Sequence, residues 1–566
     1  MKVYDSLKKM LERHPLSPAG YWLAVAAVFL VKALLASQQM FYTWIDGAPL
    51  DDELYFAMAQ SISAGQWLGE YGYLTLSKHP LFALWLALLE KFDLPYLIMG
   101  QMLWCAAALA CACALSPVLA CRWRQLAVFM ALAFLPSASA EPTLRVYRDN
   151  IFPALCMFFF AGLVGYALRA AKPLPRTLPW LIMAGCGLAA AWLCREDGVW
   201  LLPFLLAGGA VLCVLLSRRY GLLHRFTLTR TLALALPAVI LWGSLAGVKA
   251  KNEQMYGVSV VSDFSGGSFA DAIGAMVRVK GSQPVDLASI PAEVRQMLYA
   301  EVEALQPLEY WLEEDPQMRN DFVNPVLGDY QSGSFYWAIR RAASYEGIYE
   351  DAATAEAYWA GVAAEINALC DSGVLPSEGG QRSGTAPPIR PDDILPTLAE
   401  FGRSLAYCLT FRGCEPCVEE ISVGTAEDIA VWEDYLNTRC NLAAQAGTAL
   451  AYYGPLQQIA FLVFRVLQAV YAVVLPLTFA AALWRFVRRV PALLHGGKGA
   501  LLWWLQLGLL GMALLRAAMI SFMEVASFNI GTYVMYLATV HPLLVLFALA
   551  VLLAKTGTEE NAEWDI

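Results

Sequence analysis

Long apolar runs dominate this sequence and constrain its fold more than any other feature. The chain is 58% hydrophobic and 15% charged, which is outside the usual composition of soluble globular proteins. A helix of about 20 apolar residues spans the roughly 30 Å of hydrocarbon in a bilayer. Runs of this kind lie near residues 20–41, 95–118, 125–141, 150–170, 177–194, 198–217, 231–249, 455–484, 500–522 and 532–553. The sequence therefore predicts an all-α polytopic membrane protein with about ten transmembrane helices.

The distribution of Lys and Arg predicts the orientation of these helices, because cytoplasmic loops are enriched in both residues. Basic residues lie in the N-terminal tail and in every second turn, at Lys2, Lys8, Lys9 and Arg13, at Arg122 and Arg124, at Arg169, Lys172 and Arg176, at Arg218, Arg219, Arg225 and Arg230, and at Arg485, Arg488 and Arg489. We therefore expect both termini to be cytoplasmic and residues 250–454 to lie outside. The tail before the first span is polar, and no small-residue cleavage site follows a short apolar core, so this span is predicted to be an anchor and not a removed signal peptide.

Three blocks follow from this topology. They are an N-terminal membrane block with outer loops at 1–249, an extracytoplasmic domain at 250–454, inserted before the last three spans, and a C-terminal membrane block with a cytoplasmic tail at 455–566. Apolar residues recur at helical spacing in EVRQMLYAEVEALQPLEYWLEE, SGSFYWAIRRAASYEG and AATAEAYWAGVAAEINALC, so the outer domain is predicted to be mainly helical. The stretch DSGVLPSEGGQRSGTAPPIRPDD is predicted to be an exposed loop. Residues 80–92 form too short an apolar run to cross, and an interfacial or re-entrant helix is expected there.

Charge and cysteine content limit which partners and cofactors the protein is expected to have. The formal net charge is -9, and acidic residues outnumber basic ones between Asp286 and Asp329, which argues against nucleic acid as a partner. Five cysteines of the outer domain can form disulfides in an oxidising compartment, namely Cys370, Cys408, Cys414, Cys417 and Cys440. For Cys414 and Cys417 a structural bridge is preferred to a redox motif. The sequence shows no set of four well-spaced zinc ligands, and no metal site is predicted.

An acidic cluster, Asp51, Asp52 and Glu53, follows the first span. Carboxylates beside a bilayer are costly and usually functional. These three are predicted to begin a helix that runs to about Ala64 along the interface. The helix N-terminus favours the ionised forms, whereas crowding raises the pKa of at least one acid, so one group is poised as a general base. The alternative is helix capping without chemistry, which explains one acid well and three badly.

Cations lie in three outer loops of the predicted topology, against the positive-inside bias. Lys78-His79-Pro80 ends the first loop, where the lysine either holds a lipid phosphate or extends from the interface toward water. The other two loops read Glu141-Pro-Thr-Leu-Arg145-Val-Tyr147-Arg148-Asp149-Asn150 and Arg195-Glu196-Asp197-Gly198. Their arginines need anionic partners, which are either a phosphate ligand or carboxylates of the same loops. All three loops emerge on one face, so we expect them to converge on a single pocket.

Several strings resemble the GT-C superfamily of membrane glycosyltransferases, and in particular its family 39 branch of protein O-mannosyltransferases and enzymes that add aminoarabinose to lipid A. Asp52-Glu53-Leu-Tyr55 is similar to the Asp-Glu-aromatic string of that branch. Lys78-His79-Pro80-Leu81 is similar to its Lys-Pro-Pro-Leu string, with histidine in place of one proline. CREDGVWLLP resembles an arginine-rich turn, and TYVMYLATVHPLL resembles a late Arg-Tyr motif with Thr532 where arginine is usual. The whole chain also resembles a group of bacterial membrane proteins with a GxFxWAxR-like string in a long outer insertion, here residues 333–340.

This resemblance implies a multi-pass enzyme of the plasma (inner) membrane that transfers a sugar, with inversion, from a polyprenyl-phosphate carrier to an acceptor of the cell envelope on the outer face. Asp52, assisted by Asp51 or Glu53, would deprotonate the acceptor hydroxyl. The phosphate-binding candidates are Lys78, Arg145, Arg148 and Arg195, and the further pocket candidates are His79, Tyr147, Glu141, Glu196 and Asp197. Some superfamily members use a divalent cation and others do not, so the resemblance leaves a divalent cation open and implies no other cofactor.

Two other functions are compatible with the same residues. A transporter or flippase for a lipid-linked or envelope intermediate would have charges in both leaflets and inverted repeats, whereas the unusual charges here are on the outer side and no repeat is visible. A non-catalytic protein that binds a cell-wall glycan would leave the acidic cluster inert. Arg516 and Glu524, in or near the ninth span, are interpreted as an ion pair with each other, the alternative being that they reach the same pocket.

Overall fold

The computed structural model describes residues 15–45, 50–416, 422–441, 454–490, 499–529, 531 and 533–554. The helices are α1 Pro18–Ala36, α2 Asp52–Ser63, α3 Leu81–Lys91, α4 Tyr96–Leu115, α5 Arg122–Ala133, α6 Glu141–Leu144, α7 Phe152–Ala167, α8 Leu174–Cys194, α9 Leu202–Tyr220, α10 Arg225–Ala233, α11 Leu236–Tyr256, α12 Ser268–Arg278, α13 Ala292–Glu301, α14 Pro316–Phe322, α15 Ser332–Tyr345, α16 Ala352–Ser372, α17 Ile394–Thr410, α18 Ala426–Leu436, α19 Pro455–Val487, α20 Ala500–Met523, α21 Tyr533–Leu537 and α22 Val540–Leu552. Two strands, β1 Val323–Asn324 and β2 Asp329–Tyr330, pair antiparallel.

The helices account for the predicted spans. Within the described residues, nine helical stretches are long and apolar enough to cross a membrane, and a tenth is possible if the pair Arg122–Ala133 and Pro136–Leu144, bent by 45°, counts as one span. Each coincides with one of the predicted runs, the bent pair with 125–141. The prediction of an all-α polytopic membrane protein is therefore confirmed. Its mainly helical insertion precedes the last three spans, as expected.

Helix α7 occupies the centre of the membrane block. Of the apolar window in Arg148–Ala167, 94% is buried, so the outer loop before α7 leads directly into the protein interior. Helix α8 packs closely on it because glycines lie at the contact. A Cβ added to Gly162 would lie 2.5 Å from the backbone nitrogen of Ala184, and one added to Gly187 would lie 2.6 Å from that of Phe159. Small residues that permit such backbone approach are a common basis of helix packing in membranes.

Two short helices lie between the first and second spans. The predicted helix at the acidic cluster is α2, which ends at Ser63, and the run 80–92 contains α3. Neither is long enough to cross a bilayer. They pack on each other and on the membrane block through buried residues such as Leu54, Phe82 and Leu86. Asp51, directly before α2, and Lys78, in the loop that joins α2 to α3, are thereby placed beside the loops that precede α7 and follow α8.

The region predicted as one outer domain packs in two parts. Residues 269–375 surround their own hydrophobic core, built on α12, α13, α15 and α16. Helices α17 and α18 instead add Cys408, Phe411 and Trp432 to the core of the membrane block. No disulfide joins two of the described cysteines, and Cys417 lies outside the described residues.

Candidate active site

Ten charged side chains form one network, which we call the charged cluster. Its acids are Asp51, Asp52, Asp149, Glu196 and Asp197, and its bases are Lys78, Arg145, Arg148, Arg195 and Arg516. They come from the α2–α3 hairpin, the loop before α7, the loop after α8, and α20. The three outer loops that were predicted to converge therefore lie in direct contact, and α20 adds a fourth element.

Asp51 is the most exposed carboxylate of the cluster, with 38% of its side chain accessible. Its Oδ1 accepts hydrogen bonds from Lys78 Nζ and from the Tyr147 hydroxyl, each at 2.9 Å. Its Oδ2 accepts no hydrogen bond from any residue that the structure describes. Burial opposes ionisation, but the charge of Lys78 and the nearby arginines outweigh it and hold the pKa of Asp51 below its usual value. Asp51 is thus an ionised carboxylate with one oxygen open to a ligand.

Asp52, one residue further on, is 0% exposed. Its Oδ1 accepts from Arg145 Nε at 2.8 Å, and its Oδ2 accepts from Thr43 Oγ1 at 3.2 Å and from the Trp44 backbone nitrogen at 3.4 Å. Burial raises the pKa of Asp52 to about 6, although Arg145 acts in the opposite direction. Asp51 is the N-cap residue of α2, with non-helical backbone dihedrals, whereas Asp52 is the first helical residue, so the two neighbouring side chains point in different directions. The role of Asp52 as general base stays a prediction, and both its oxygens are already occupied.

Arg148 and Glu196 connect all three outer loops. Arg148 Nη1 donates to Glu196 Oε2 at 2.5 Å, and Glu196 Oε1 accepts from the backbone nitrogen of His79 at 3.1 Å. The buried His79 ring contacts the Trp192 carbonyl at 2.6 Å and the Ser265 hydroxyl at 2.9 Å. Burial lowers the pKa of His79, which keeps the ring neutral. The geometry of His79 is that of a residue that holds the loops together.

Arg195 and Arg516 close the other side of the cluster. Arg195 Nη1 donates to Asp149 Oδ1 at 3.0 Å and its Nε lies 3.6 Å from Asp197 Oδ1. Arg516 Nη1 donates to Asp197 Oδ2 at 2.6 Å. The interpretation of Arg516 and Glu524 as an ion pair is therefore wrong, and Arg516 reaches the cluster instead. Eight residues of helix separate these two side chains by about 12 Å along the axis, which is too far for contact.

Some polar atoms of the charged cluster have no partner. Among the described residues, Arg148 Nε, Arg195 Nε and Arg516 Nη2 are buried without a hydrogen bond, as are Asp149 Oδ2 and Asp197 Oδ1. Buried polar groups are nearly always satisfied by protein, water or a ligand. Three orphaned guanidinium donors in one network fit an anion with several oxygen atoms, such as a phosphate.

The outer domain contributes to the site through α15. The ring of Trp337 lies over Lys78, with 5.2 Å between Nζ and the ring centroid. Arg340, one turn further on, donates to Asp263 at 2.7 Å and to the carbonyl oxygen of Tyr73 at 2.8 Å, in the loop that leads to Lys78. Sequence reasoning assigned neither Trp337 nor Arg340 a role, although both belong to the GxFxWAxR-like string.

Two further predicted residues, the catalytic candidate Glu53 and the pocket candidate Glu141, lie on elements next to the charged cluster. Glu53 is partly buried in the first turn of α2, and Glu141 begins α6, where its backbone nitrogen donates to the Glu415 carbonyl at 2.9 Å. Thr532 lies outside the described residues. Within the described ranges, no group of three or more His, Cys, Asp or Glu side chains is arranged to hold a metal ion.

A cavity of about 680 Å³ lies next to the cluster, at the C-terminal end of α1 and the N-terminal ends of α4 and α19. It is lined by residues 36–40, by Leu97 and Leu456, and by the end of α18, but by no member of the charged cluster. The segment after α1 contacts both the cavity and the charged cluster. Its residues 36–40 line the cavity, and Thr43 and Trp44, a few positions later, donate hydrogen bonds to Asp52.

Comparisons with known proteins give only distant similarity. No protein-family model matches the chain, and no curated protein matches it. Among solved structures, ArnT from Cupriavidus metallidurans bound to undecaprenyl phosphate is similar at 14% identity, covering 84% of this chain and 81% of that chain, with a TM-score of 0.31. ArnT from the same organism in the apo state is similar at 13% identity, covering 94% of this chain and 78% of that chain, with a TM-score of 0.29. At these TM-scores the similarity carries no argument about function.

Proposed function

We propose that this protein is a membrane glycosyltransferase that moves a sugar, with inversion, from a polyprenyl-phosphate carrier to an acceptor of the cell envelope. The carrier class comes from the resemblance of the Asp52-Glu53-Leu-Tyr55 and Lys78-His79-Pro80-Leu81 strings to family 39 of the GT-C superfamily. The reaction takes place at the charged cluster, on the outer face of the plasma membrane. In this topology both termini are cytoplasmic.

The observation that carries this proposal is the open oxygen of Asp51. Oδ1 is fixed by Lys78 and Tyr147, and Oδ2 is free within the described part of the chain, on a side chain that is 38% accessible. A general base needs a fixed carboxylate with one oxygen in reach of the acceptor. Asp51 meets this requirement and the buried Asp52 does not. We therefore assign the base to Asp51 and a supporting role to Asp52.

In the proposed step the acceptor oxygen forms a bond to the anomeric carbon while the bond from that carbon to the phosphate oxygen breaks. The acceptor proton passes to Asp51 Oδ2. Transfer between sugars proceeds through a transition state with positive charge on the ring, and the acceptor proton becomes acidic as the new bond forms. A carboxylate that stays ionised across the physiological pH range can accept the proton at that stage, although its pKa is low.

The pairing of Asp51 with Lys78 couples the proton to the leaving group. A sugar linked to a carrier phosphate has one negative charge, and the released carrier phosphate can bear two. When Asp51 takes up the proton, it becomes neutral and no longer balances Lys78, 2.9 Å away. The positive charge of Lys78 is then available as the negative charge grows on the phosphate. This is stabilisation of charge that develops in the transition state.

The arginines have different parts in this proposal. Within the described residues, Arg148 and Arg195 each have a buried Nε that donates no hydrogen bond, and we assign the carrier phosphate to this side of the cluster, with the ion pairs to Glu196 and Asp149 intact. Arg145 is committed to Asp52 and keeps that acid in place. Trp337 offers a half-buried aromatic ring beside Lys78, on which a sugar ring can pack. The proposal requires no metal, and it leaves the sugar unassigned.

The experiment that tests the carrier site is binding of undecaprenyl phosphate to the full chain in phosphatidylcholine nanodiscs. Lys78→Gln should weaken binding roughly ten- to hundredfold, since one charge-assisted hydrogen bond to phosphate contributes about 1.5–3 kcal/mol. The matched control is Arg403→Gln, because the Arg403 side chain is 66% exposed and, within the described residues, is ion-paired with Glu400 one turn away on α17. No binding to the wild type, or equal binding by both variants, would rule out a carrier site here and favour a transporter or glycan-binding protein.

A further inference from the structure

A second site lies in the outer domain, away from the charged cluster. It is a cavity of about 450 Å³ between the end of α12, the segment that follows it, and the loop before α17. We call it the outer-domain cavity. Its charged lining residues are four basic ones, Arg278, Lys280, Arg382 and Arg390, and two acidic ones, Glu378 and Asp392. Its volume is typical of small-molecule sites in proteins, which measure about 300–1,000 Å³.

The charge of this cavity contrasts with that of the domain around it. Residues 257–392 contain twenty acidic and eight basic side chains, and four of the eight basic ones line this single cavity. A positive site on a strongly negative domain attracts and selects anions, because the rest of the surface repels them. The concentration of cations therefore indicates an anionic ligand.

Two of the four cations form no ion pair with a described carboxylate. Arg278 is paired with Asp371, and Lys280 lies 3.0 Å from Glu378. Arg382 donates to the Ala386 carbonyl at 2.6 Å, and Arg390 donates to the Val285 carbonyl at 2.9 Å. Neither of these two arginines has a carboxylate within ion-pair distance among the residues that the structure describes. Each guanidinium is fixed by the backbone, and the charge-assisted hydrogen bonds to an anion are still to be made.

The loop that carries Arg382 is held against α12, although its composition predicts only an exposed loop. Backbone hydrogen bonds join Glu378 to the Arg278 carbonyl at 3.0 Å and Gly384 to the Ala270 carbonyl at 2.9 Å. Gly274 permits this contact, because a Cβ there would lie 2.2 Å from the Arg382 carbonyl oxygen. A cavity whose walls are fixed in advance loses little entropy when a ligand binds.

The remaining lining favours a ligand with hydroxyl groups. Ser282, Gln283 and Ser289 supply both donors and acceptors, and the neighbouring Pro284 and Ile389 provide apolar contacts. Saccharides present this mixture of hydroxyls and apolar ring faces. Together with the arginines, the lining fits a saccharide that carries an anionic group.

Helix α15 connects the outer-domain cavity to the charged cluster. Ser289 of the cavity wall contacts Ser332, the first residue of α15, with 2.8 Å between the hydroxyl oxygens. Trp337, over Lys78, lies five residues further along the same helix. Five helical residues rise about 7.5 Å, so the contact with the cavity wall and the residue over Lys78 lie within two turns of the same helix.

We propose that the outer-domain cavity binds an anionic saccharide unit, whose charge is a carboxylate or a phosphate. We further propose that this unit is part of the acceptor glycan, and that the reacting hydroxyl of the acceptor is directed toward Asp51. The assignment to the acceptor rests on the proposed function, whereas the binding of an anionic saccharide does not.

The test is binding of three defined saccharides to the full chain in detergent. Trigalacturonate carries carboxylates, mannopentaose phosphate carries a phosphate, and maltotriose is neutral. We expect one of the anions to bind, maltotriose to bind at least tenfold more weakly, and the double variant Arg382→Gln/Arg390→Gln to lose at least tenfold in affinity. Arg382→Lys/Arg390→Lys, which keeps both charges, should retain most of it. The control is Arg319→Gln, a basic residue of the same domain that does not line the cavity.

The outcomes separate this proposal from the proposed function. The anion that binds identifies the charged group as carboxylate or phosphate. No binding of either anion, equal binding of maltotriose, or unchanged affinity in a folded double variant would overturn the proposal. If saccharide binding is intact and the wild type binds no undecaprenyl phosphate, the proposed function fails and the anionic saccharide site stands.

Discussion

The indole ring of Trp337 lies over the ammonium group of Lys78, 5.2 Å from Nζ to the ring centroid. The two residues are 259 positions apart. Lys78 lies in the loop between α2 and α3, which pack on the core of the membrane block, and Trp337 lies on α15, which packs on the separate core of residues 269–375. The same helix holds the preceding loop through Arg340 and the Tyr73 carbonyl. The insertion therefore covers part of the candidate site and is more than a separate appendage.

Trp337→Ala should weaken the binding of a sugar-loaded carrier more than that of the bare carrier phosphate. An aromatic ring contact of this size contributes about 0.5–1.5 kcal/mol, or roughly two- to tenfold in affinity. Trp337→Phe, which keeps a ring, should retain part of the effect. Affinities of undecaprenyl-phosphate mannose and undecaprenyl phosphate in nanodiscs give the comparison. Equal losses for both ligands would mean that Trp337 acts only through Lys78.

Arg145→Gln should destabilise the protein by about 3–5 kcal/mol, because it leaves the Asp52 carboxylate buried without a counter-charge. Adding Asp52→Asn should recover most of this loss, since the uncompensated charge is then gone. Denaturant unfolding in one detergent measures both. The control is Arg341→Gln, whose ion pair with Asp321 is partly exposed and should contribute less than about 1 kcal/mol. Additive effects of the two substitutions would show that Arg145 and Asp52 do not interact.

The raised pKa of Asp52 predicts a pH dependence of stability with a definite sign. Its pKa is about 6 in the folded protein against 3.8 without the protein environment, so the folded state binds the proton more tightly. The resulting stabilisation is present in full below about pH 4 and is lost as the pH rises through 6, an effect of about 3 kcal/mol. Wild type should therefore be most stable relative to Asp52→Asn near pH 4. If the stability of the wild type relative to Asp52→Asn is constant with pH, or increases toward pH 7, the result would contradict the buried environment of Asp52.

The sequence was sufficient for the architecture because the signals are local. Each apolar run specifies its own helix, and the α2–α3 hairpin was predicted from a charged helix start and from a run too short to cross. The division of the outer region could not be predicted in this way. Helix α17 has apolar residues at helical spacing whichever surface it contacts, and only the structure shows Cys408 in the core of the membrane block.

The candidate site could be predicted in composition but not in pairing. The basic loops and the acidic cluster could be recognised from the sequence, because charged residues next to a membrane are costly and usually functional. Which of the two adjacent acids is buried depends on where α2 begins and on the backbone conformation of its N-cap, Asp51. The pairing of Arg516 with Asp197 depends on contacts between residues 319 positions apart. The roles of Trp337 and Arg340 could not be predicted from the sequence, because an aromatic residue and an arginine on an amphipathic helix usually make contacts within their own domain.

The most direct test of the central claim is release of undecaprenyl phosphate from a panel of undecaprenyl-phosphate sugars by the full chain in nanodiscs, with a cell-envelope fraction as acceptor. The wild type should release the carrier from at least one donor. Asp51→Asn should slow release by on the order of a hundredfold or more, as loss of a general base does. The exposed Asp271→Asn should have no effect, and Asp52→Asn should retain more activity than Asp51→Asn at equal expression. Turnover by Asp51→Asn at the wild-type rate would contradict the assignment of Asp51 as the base that accepts the acceptor's proton.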